Sequence, residues 1–106
     1  MSIPRLSHLQ FLIMGFLQSG TVRGKDLRGA LSRAGERRSG PGFYQLMARL
    51  EDQGFVRGRY EQAVIEGQII RERLYEPTAQ GGRAWHVSRE FYSQWILQFD
   101  DGTASA

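Results

Sequence analysis

The stretch SGPGFYQLMARLEDQGF, Ser39–Phe55, decides how the rest of the chain is read. Phe43, Leu46, Met47 and Leu50 follow the i, i+3, i+4, i+7 rule, share one helical face and are assigned to the core. Ser39 suits an N-cap, Gly40-Pro41-Gly42 opens the first turn, and Gly54 closes the helix in the left-handed conformation. The opposite face carries Tyr44, Gln45, Ala48, Arg49 and Asp52. A phenol, an amide and a guanidinium around a small Ala suit a helix that enters a DNA major groove N-terminus first. Taken alone, the stretch favours the plainer reading, an amphipathic helix whose outer face is simply solvated.

The flanking chain weighs against that plainer reading. Phe55 to Pro77 reads as two strands joined by a tight turn, and Thr78 begins a new helix. In the first run, Phe55 to Glu61, charges are interleaved with β-prone residues, as in a half-exposed strand. Gln68 to Tyr75 is its partner, with Glu66-Gly67 as the turn pair. That pairing sets Tyr60 near Arg73 and Gln62 near Arg71, unless a β-bulge shifts the register. Helix, hairpin, then Thr-x-x-Gly is the layout of a winged helix-turn-helix.

Upstream, Ser7 and Gln10 form a capping-box signature, and Leu6 with Phe11 supplies a hydrophobic staple. Leu9, Leu12, Ile13, Phe16 and Leu17 line a first helix that stops at Ser19-Gly20, with Phe11 and Met14 widening the stripe. Thr21-Val22-Arg23 is a minimal extended piece. Gly24 or Thr21 leads into a second helix with Leu27, Ala30, Leu31 and Ala34 inward and Lys25, Arg28, Arg33 and Glu36 outward. Gly35 ends it, and Glu36-Arg37-Arg38 joins it to the helix already described, which completes a helix-turn-helix.

Beyond Thr78, the Gly81-Gly82 pair is expected to weaken the first turn of the last helix. Trp85, Ser88, Tyr92, Trp95 and Phe99 then trace a heptad seam, with Phe91 and Ile96 on its flank. So much aromatic surface exceeds what one small core needs, and a second copy of the chain is the natural partner. The last residues, Asp100 to Ala106, have nothing to pack and are expected to fray. The fold class is therefore mainly α with a small β-hairpin. It divides into a winged helix-turn-helix over 1–77, a C-terminal dimerisation helix over 78–99 and a disordered tail over 100–106.

At 106 residues the chain makes one domain, and 41% hydrophobic beside 24% charged residues is ordinary for a globular protein. The net charge of +3 and a pI near 9.8 favour a polyanionic partner. The absence of Cys excludes disulfides, thiolate nucleophiles and Cys-ligated zinc. His8 and His86 stand in no metal-ligand spacing, and no nucleophile has a base beside it by motif. Neither an enzyme nor a cofactor is expected. There is no signal-peptide pattern and no membrane-spanning apolar run, so a cytoplasmic protein with no membrane partner is the default.

Gly42-Phe43-Tyr44-Gln45-Leu46-Met47-Ala48-Arg49-Leu50-Glu51, followed by Gly54-Phe55, Arg73-Leu74-Tyr75 and Thr78-Ala79-Gln80-Gly81, resembles the PadR-like family of bacterial transcription regulators. The resemblance runs from Leu9 to about Phe99. It implies a recognition helix carrying Tyr44, a second wing strand ending in Tyr75, a C-terminal dimerisation helix and a repressor-type homodimer on a palindromic operator. Two departures stand out. Glu61 and Glu66 occupy a wing that would hug DNA better with Lys or Arg. The single C-terminal helix also lacks the longer effector-associated bundles of some members.

On this reading Tyr44, Gln45, Ala48 and Arg49 contact base edges and nearby backbone: Arg pairs with guanine, Gln with adenine, and Ala meets a thymine methyl. Ser39 and Gly40 offer a helix N-terminus to a phosphate. For Arg37 and Arg38, phosphate contact and plain solvation are evenly balanced. Arg57, Arg59, Arg71 and Arg73 have Glu61 and Glu72 as cross-strand partners that would neutralise them. Trp85, Ser88, Tyr92, Trp95 and Phe99 form the dimer interface. An aromatic small-molecule effector stacked between helices ranks below that use. A protein-interaction module with no sequence-specific DNA reading is the alternative function.

Overall fold

The Ser7 side chain accepts from the Gln10 amide while the Gln10 side chain accepts from the Ser7 amide, so the first helix starts with a complete capping box. The computed structural model describes the backbone over residues 6–104 and the side chains over 6–100. Helix α1 spans His8–Phe16 and runs into a 3-10 turn over Leu17–Ser19. Strand β1 is Val22–Arg23, α2 is Gly24–Arg33 and α3 is Gly40–Asp52. Strands β2 (Val56–Ile65) and β3 (Gln68–Pro77) make the hairpin, and α4 runs over Ala79–Ala104.

The sheet is antiparallel in the order β1-β3-β2. Tyr60 pairs with Arg73 and Gln62 with Arg71, in an unbroken ladder from Val56↔Pro77 to Ile65↔Gln68. Glu66 and Gly67 both take positive φ, 53° and 79°, the backbone twist that a two-residue hairpin turn requires. The short β1 adds Val22↔Tyr75 and Arg23↔Leu74, which ties the segment before α2 to the base of the wing.

Ile13, Met14, Leu17, Leu27, Leu31, Phe43, Met47 and Leu50 are all but sealed from solvent, so the three N-terminal helices share one core. Met14, expected only to widen the α1 stripe, is at its centre. Leu46, by contrast, is only partly buried and packs at the core's edge. Helix α2 begins after Arg23, whose side chain makes no capping bond, rather than from Gly24 or Thr21 as caps. Gly35, at φ 89°, ends the segment: the Glu36 amide reaches back to the Leu31 carbonyl, a six-to-one closure.

The C-terminal helix departs from expectation in three ways. Its first turn is shaped by Gly81 rather than weakened by it. A Cβ there would overlap the Phe55 carbonyl oxygen, so only glycine lets α4 lie this close to the wing base. Ser88 is buried within the protomer and donates to the Ala84 carbonyl at 2.9 Å, which removes it from the outward seam. The helix also continues to Ala104 instead of fraying from Asp100; Ser105 and Ala106 lie outside the described residues.

Phe11 anchors the base of α4 to α1, stacked on Trp85 at 6.0 Å and edge-on to Tyr92 at 5.6 Å. From Arg89 onward every described residue of α4 is exposed, so the helix leaves the body as a spur. The molecule is accordingly 63 Å long against 31 and 23 Å in the other directions. Gly81→Ala should destabilise the chain by about 1–3 kcal/mol, the cost of overpacking against backbone that cannot yield. A chemical-denaturation midpoint equal to that of the parent would contradict the close approach.

Candidate nucleic-acid interface

Helix α3 meets solvent on the side opposite its core residues, and Tyr44, Gln45, Ala48 and Arg49 are all exposed there. Their placement follows from Phe43, Met47 and Leu50 being buried on the other side. Tyr44 keeps its ring edge against Phe43 at 5.1 Å while 42% of the residue stays open. Three shallow clefts surround this face, and together they show which of the expected residues share a surface.

The first cleft, about 310 Å³, lies between α2 and the start of α3, where Lys25, Arg28, Arg37 and Arg38 surround Tyr44. Arg28 donates through Nε to the Arg38 carbonyl at 3.0 Å, which pins the connection between the two helices. Arg38 also lies 3.7 Å from Glu36, which in turn faces His8 at 3.3 Å. The second, about 250 Å³, brings Gln45 and Arg49 beside Arg38 and Leu9. Arg38 thus borders both clefts. Arg37 and Arg38 lie beside Tyr44 in the first cleft, and Arg38 lies beside Gln45 and Arg49, the latter in the last turn of α3, in the second.

The N-terminus of α3 offers less to an anion than its position implies. Ser39 caps the helix, but its hydroxyl is occupied by the Gly42 amide at 3.1 Å. Phe43 donates to the Ser39 carbonyl, and Pro41 has no N–H. Gly40 is left as the first-turn amide with no hydrogen bond among the described residues. Arg28, rather than a row of free amides, supplies the positive charge next to it: a Cβ at Gly40 would lie 3.5 Å from its guanidinium.

The third cleft, about 360 Å³, separates α3 from the inner face of the wing. Tyr44 and Ala48 line one side, Tyr60 and Arg71 the other, and Glu51 with Arg73 closes its end. Arg73 reaches Glu51 at 2.8 Å, with both side chains about a quarter exposed. Burial works against the Arg73 charge, but the Tyr75 hydroxyl beside it and the Glu51 carboxylate outweigh that and hold the guanidinium above its ordinary value. Burial also raises the Tyr75 phenol, against the opposing pull of Arg73.

The wing arginines do not pair as expected. Glu61 sits opposite Glu72, and Glu72 instead holds Arg23 at 3.1 Å and Lys25 at 3.8 Å. Arg57 pairs with Glu76 at 3.5 Å. Among the described residues Arg37, Arg49, Arg59 and Arg71 form no ion pair. Neither Glu51 nor its pairing with Arg73 is singled out from the sequence, yet Tyr44, Ala48 and Glu51 recur at i, i+4, i+7 on one stripe. That spacing, with the Tyr60↔Arg73 register, could have found it. No group of His, Asp and Glu among the described residues gathers as a metal site, and no helix is long and apolar enough to cross a membrane.

No family model and no curated protein matches the sequence. Solved structures do. A PadR family transcriptional regulator from Eggerthella lenta DSM 2243 is 25% identical with a TM-score of 0.64, covering 91% of this chain and 79% of that one. Bacillus subtilis PadR in complex with operator DNA is 23% identical with a TM-score of 0.63, over 78% of this chain but only 46% of that one. A PadR family transcription regulator from Clostridium difficile R20291 gives a TM-score of 0.71 at 18% identity, covering 88% and 98%.

The Tyr75 environment carries a pH dependence whose sign follows from the raised phenol. The folded chain holds that proton where the unfolded chain has lost it. The stabilisation is therefore complete below the ordinary value of 10.0 and is lost as pH rises through the higher folded value. Denaturation followed across the alkaline range should show stability falling beyond this point, with a shallower fall in Tyr75→Phe. Identical slopes for the two chains would contradict the assignment.

Proposed function

We propose that this chain, a member of the PadR-like winged-helix family, is a DNA-binding transcription regulator that acts as a homodimeric repressor on a palindromic operator. The observation that carries this reading is the exposed face of α3, where Tyr44, Gln45, Ala48 and Arg49 stand clear of the core beside four cations of α2 and the connecting turn. Arg49 and Gln45 are suited to guanine and adenine edges, Ala48 to a thymine methyl. Tyr44, Arg37, Arg38, Ser39 and Gly40 are assigned to the flanking backbone, with Gly40 contributing its amide and Arg38 its charge. Residues 1–77 are assigned to the reading head and 78–99, within which α4 begins at Ala79, to the dimerisation arm. Cytoplasmic residence follows from that function.

The homodimer is supported by the spur. Phe91, Tyr92, Trp95, Ile96, Leu97 and Phe99 are 45–65% exposed on one protruding helix. Such a helix has little stability alone, and an aromatic surface of this size is a liability in water. Pairing two spurs around a two-fold axis covers it and sets two α3 helices toward successive major grooves, roughly 34–36 Å apart or a multiple of that. Trp85 serves as the root of the arm rather than its contact surface, because it is already stacked on Phe11. An aromatic small-molecule effector would enter between paired arms beside Trp95, a use secondary to the pairing itself.

The DNA reading is tested with a duplex selected by the intact chain from a random-sequence pool. Gln45→Ala and Arg49→Ala should each weaken that complex by roughly 1–3 kcal/mol while leaving helical content unchanged. Parental affinity in both variants would remove this face from the contact list. Sedimentation equilibrium tests the arm. The intact chain should be dimeric and Trp95→Ala should dissociate at higher concentration, whereas a monomer at every concentration would refute the pairing.

A further inference from the structure

Period-two alternation puts Arg71, Arg73 and Tyr75 of β3 on the same face of the wing, opposite Gln62, Tyr60 and Gly58 of β2. That face looks toward α3. The Arg73 guanidinium lies 4.6 Å from the Tyr60 ring centre and 5.5 Å from that of Tyr75, while Arg71 lies 4.6 Å from Tyr60 on the same side. Tyr75 in turn meets Phe43 of the α3 core edge-on at 6.5 Å. The only ion pair among the described residues that links α3 to the wing is Glu51 with Arg73.

The backbone leaves room for this pair at one place. A Cβ on Gly58 would overlap the Glu51 carboxylate and come within 2.6 Å of Arg73 Nη2. A glycine inside a strand costs stability and needs a local reason. Here the reason is that a carboxylate from the helix and a guanidinium from the neighbouring strand occupy its side-chain space. Val64, Ile65 and Ile69 near the hairpin tip are all exposed.

We infer that Glu51 and Arg73 are positioning residues that latch the wing to the reading helix, so that Tyr60 and Arg71 face the same DNA strand as Tyr44 and Ala48 across the cleft. This rests on the DNA-binding reading above for its purpose, though not for its geometry. Arg71 is the group delivered: it stacks on Tyr60, is free of carboxylates among the described residues, and opens onto the cleft. A phosphate of the strand spanning the cleft is the chemistry that suits it. Glu51 touches no nucleic acid in this arrangement and acts through Arg73 and Tyr60.

The chain contains no Cys, so two can be introduced and spin-labelled uniquely, at Asp52 on α3 and Val64 on the wing. The intact sequence should give a narrow distance distribution between the labels. Glu51→Ala, which removes the pair, and Gly58→Ala, which crowds it with both charges kept, should each broaden the distribution while the circular dichroism stays that of the parent. On the selected duplex, Glu51→Ala and Arg71→Ala should each weaken binding several-fold. The double variant should be little weaker than either, since one acts through the other. Unbroadened distances in both variants, or additive losses on the duplex, would overturn the latch. If the intact chain selects no duplex, the regulator reading fails and the distance distributions alone judge the latch.

Discussion

Three parts of the molecule depart from one joint, where Thr78 meets the end of α3. The Thr78 hydroxyl donates to the Gly54 carbonyl at 2.6 Å and accepts from the Gly81 amide at 3.0 Å. Its own amide donates to the Phe55 carbonyl at 3.1 Å. One residue therefore closes the base of the hairpin, satisfies the end of α3 and caps the start of α4. Gly54, at φ 80°, turns the chain out of α3, and Gly81 admits the Phe55 carbonyl against α4. The angles of reading helix, wing and arm are set relative to one another here. In the proposed dimer the arm would transmit that geometry to the spacing of the two α3 helices.

Charge and apolar surface are distributed unevenly, and the unevenness matters more than the totals. A net charge of +3 is too small to mark a nucleic-acid partner on its own. Several acidic groups, however, are committed to ion pairs: Glu72 with Arg23 and Lys25, Glu76 with Arg57, Glu51 with Arg73. Around the start of α3, Lys25 and Arg38 also face Glu72 and Glu36, while Arg28 and Arg37 are left without an ion pair among the described residues and make the local excess. Exposed pairs of this kind are individually worth about 0–1 kcal/mol, so their main effect is on where the positive potential lies rather than on stability. Stability comes from the sealed core of α1, α2 and α3. The apolar surplus lies elsewhere, on the spur of α4, and points to a partner surface distinct from the polar reading face.

Much of this was legible in the sequence because short-range rules govern it. The α3 stripe follows from helical period, the capping box from Ser7 and Gln10, and the wing register from Glu66-Gly67 as the turn pair, because no bulge interrupts the ladder. The rest depends on packing between distant segments. Whether Ser88 points outward or into the protomer depends on how α1 lies against α4, and Phe11 decides that. Gly81 looks like a weak helix former until the Phe55 carbonyl is placed beside it. Asp100 to Ala104 look unanchored by composition, yet they extend a helix already nucleated below. The exposed face of α3 was legible residue by residue, but the occupation of the Ser39 hydroxyl and the loss of a donor at Pro41 leave only Gly40 and the nearby arginines as candidates for an anion. Glu51 escaped notice because its partner comes from a strand whose distance from α3 no periodicity reports.

The most direct measurement is a nuclear magnetic resonance titration of the isotopically labelled chain with a duplex it has selected. Amide shifts and line broadening should concentrate from Arg37 through Arg49 and along the inner wing at Tyr60 and Arg71, with the arm beyond Arg89 unperturbed. Perturbations gathered on the arm instead, or none at saturating duplex, would contradict the assignment of α3 as the DNA-reading helix.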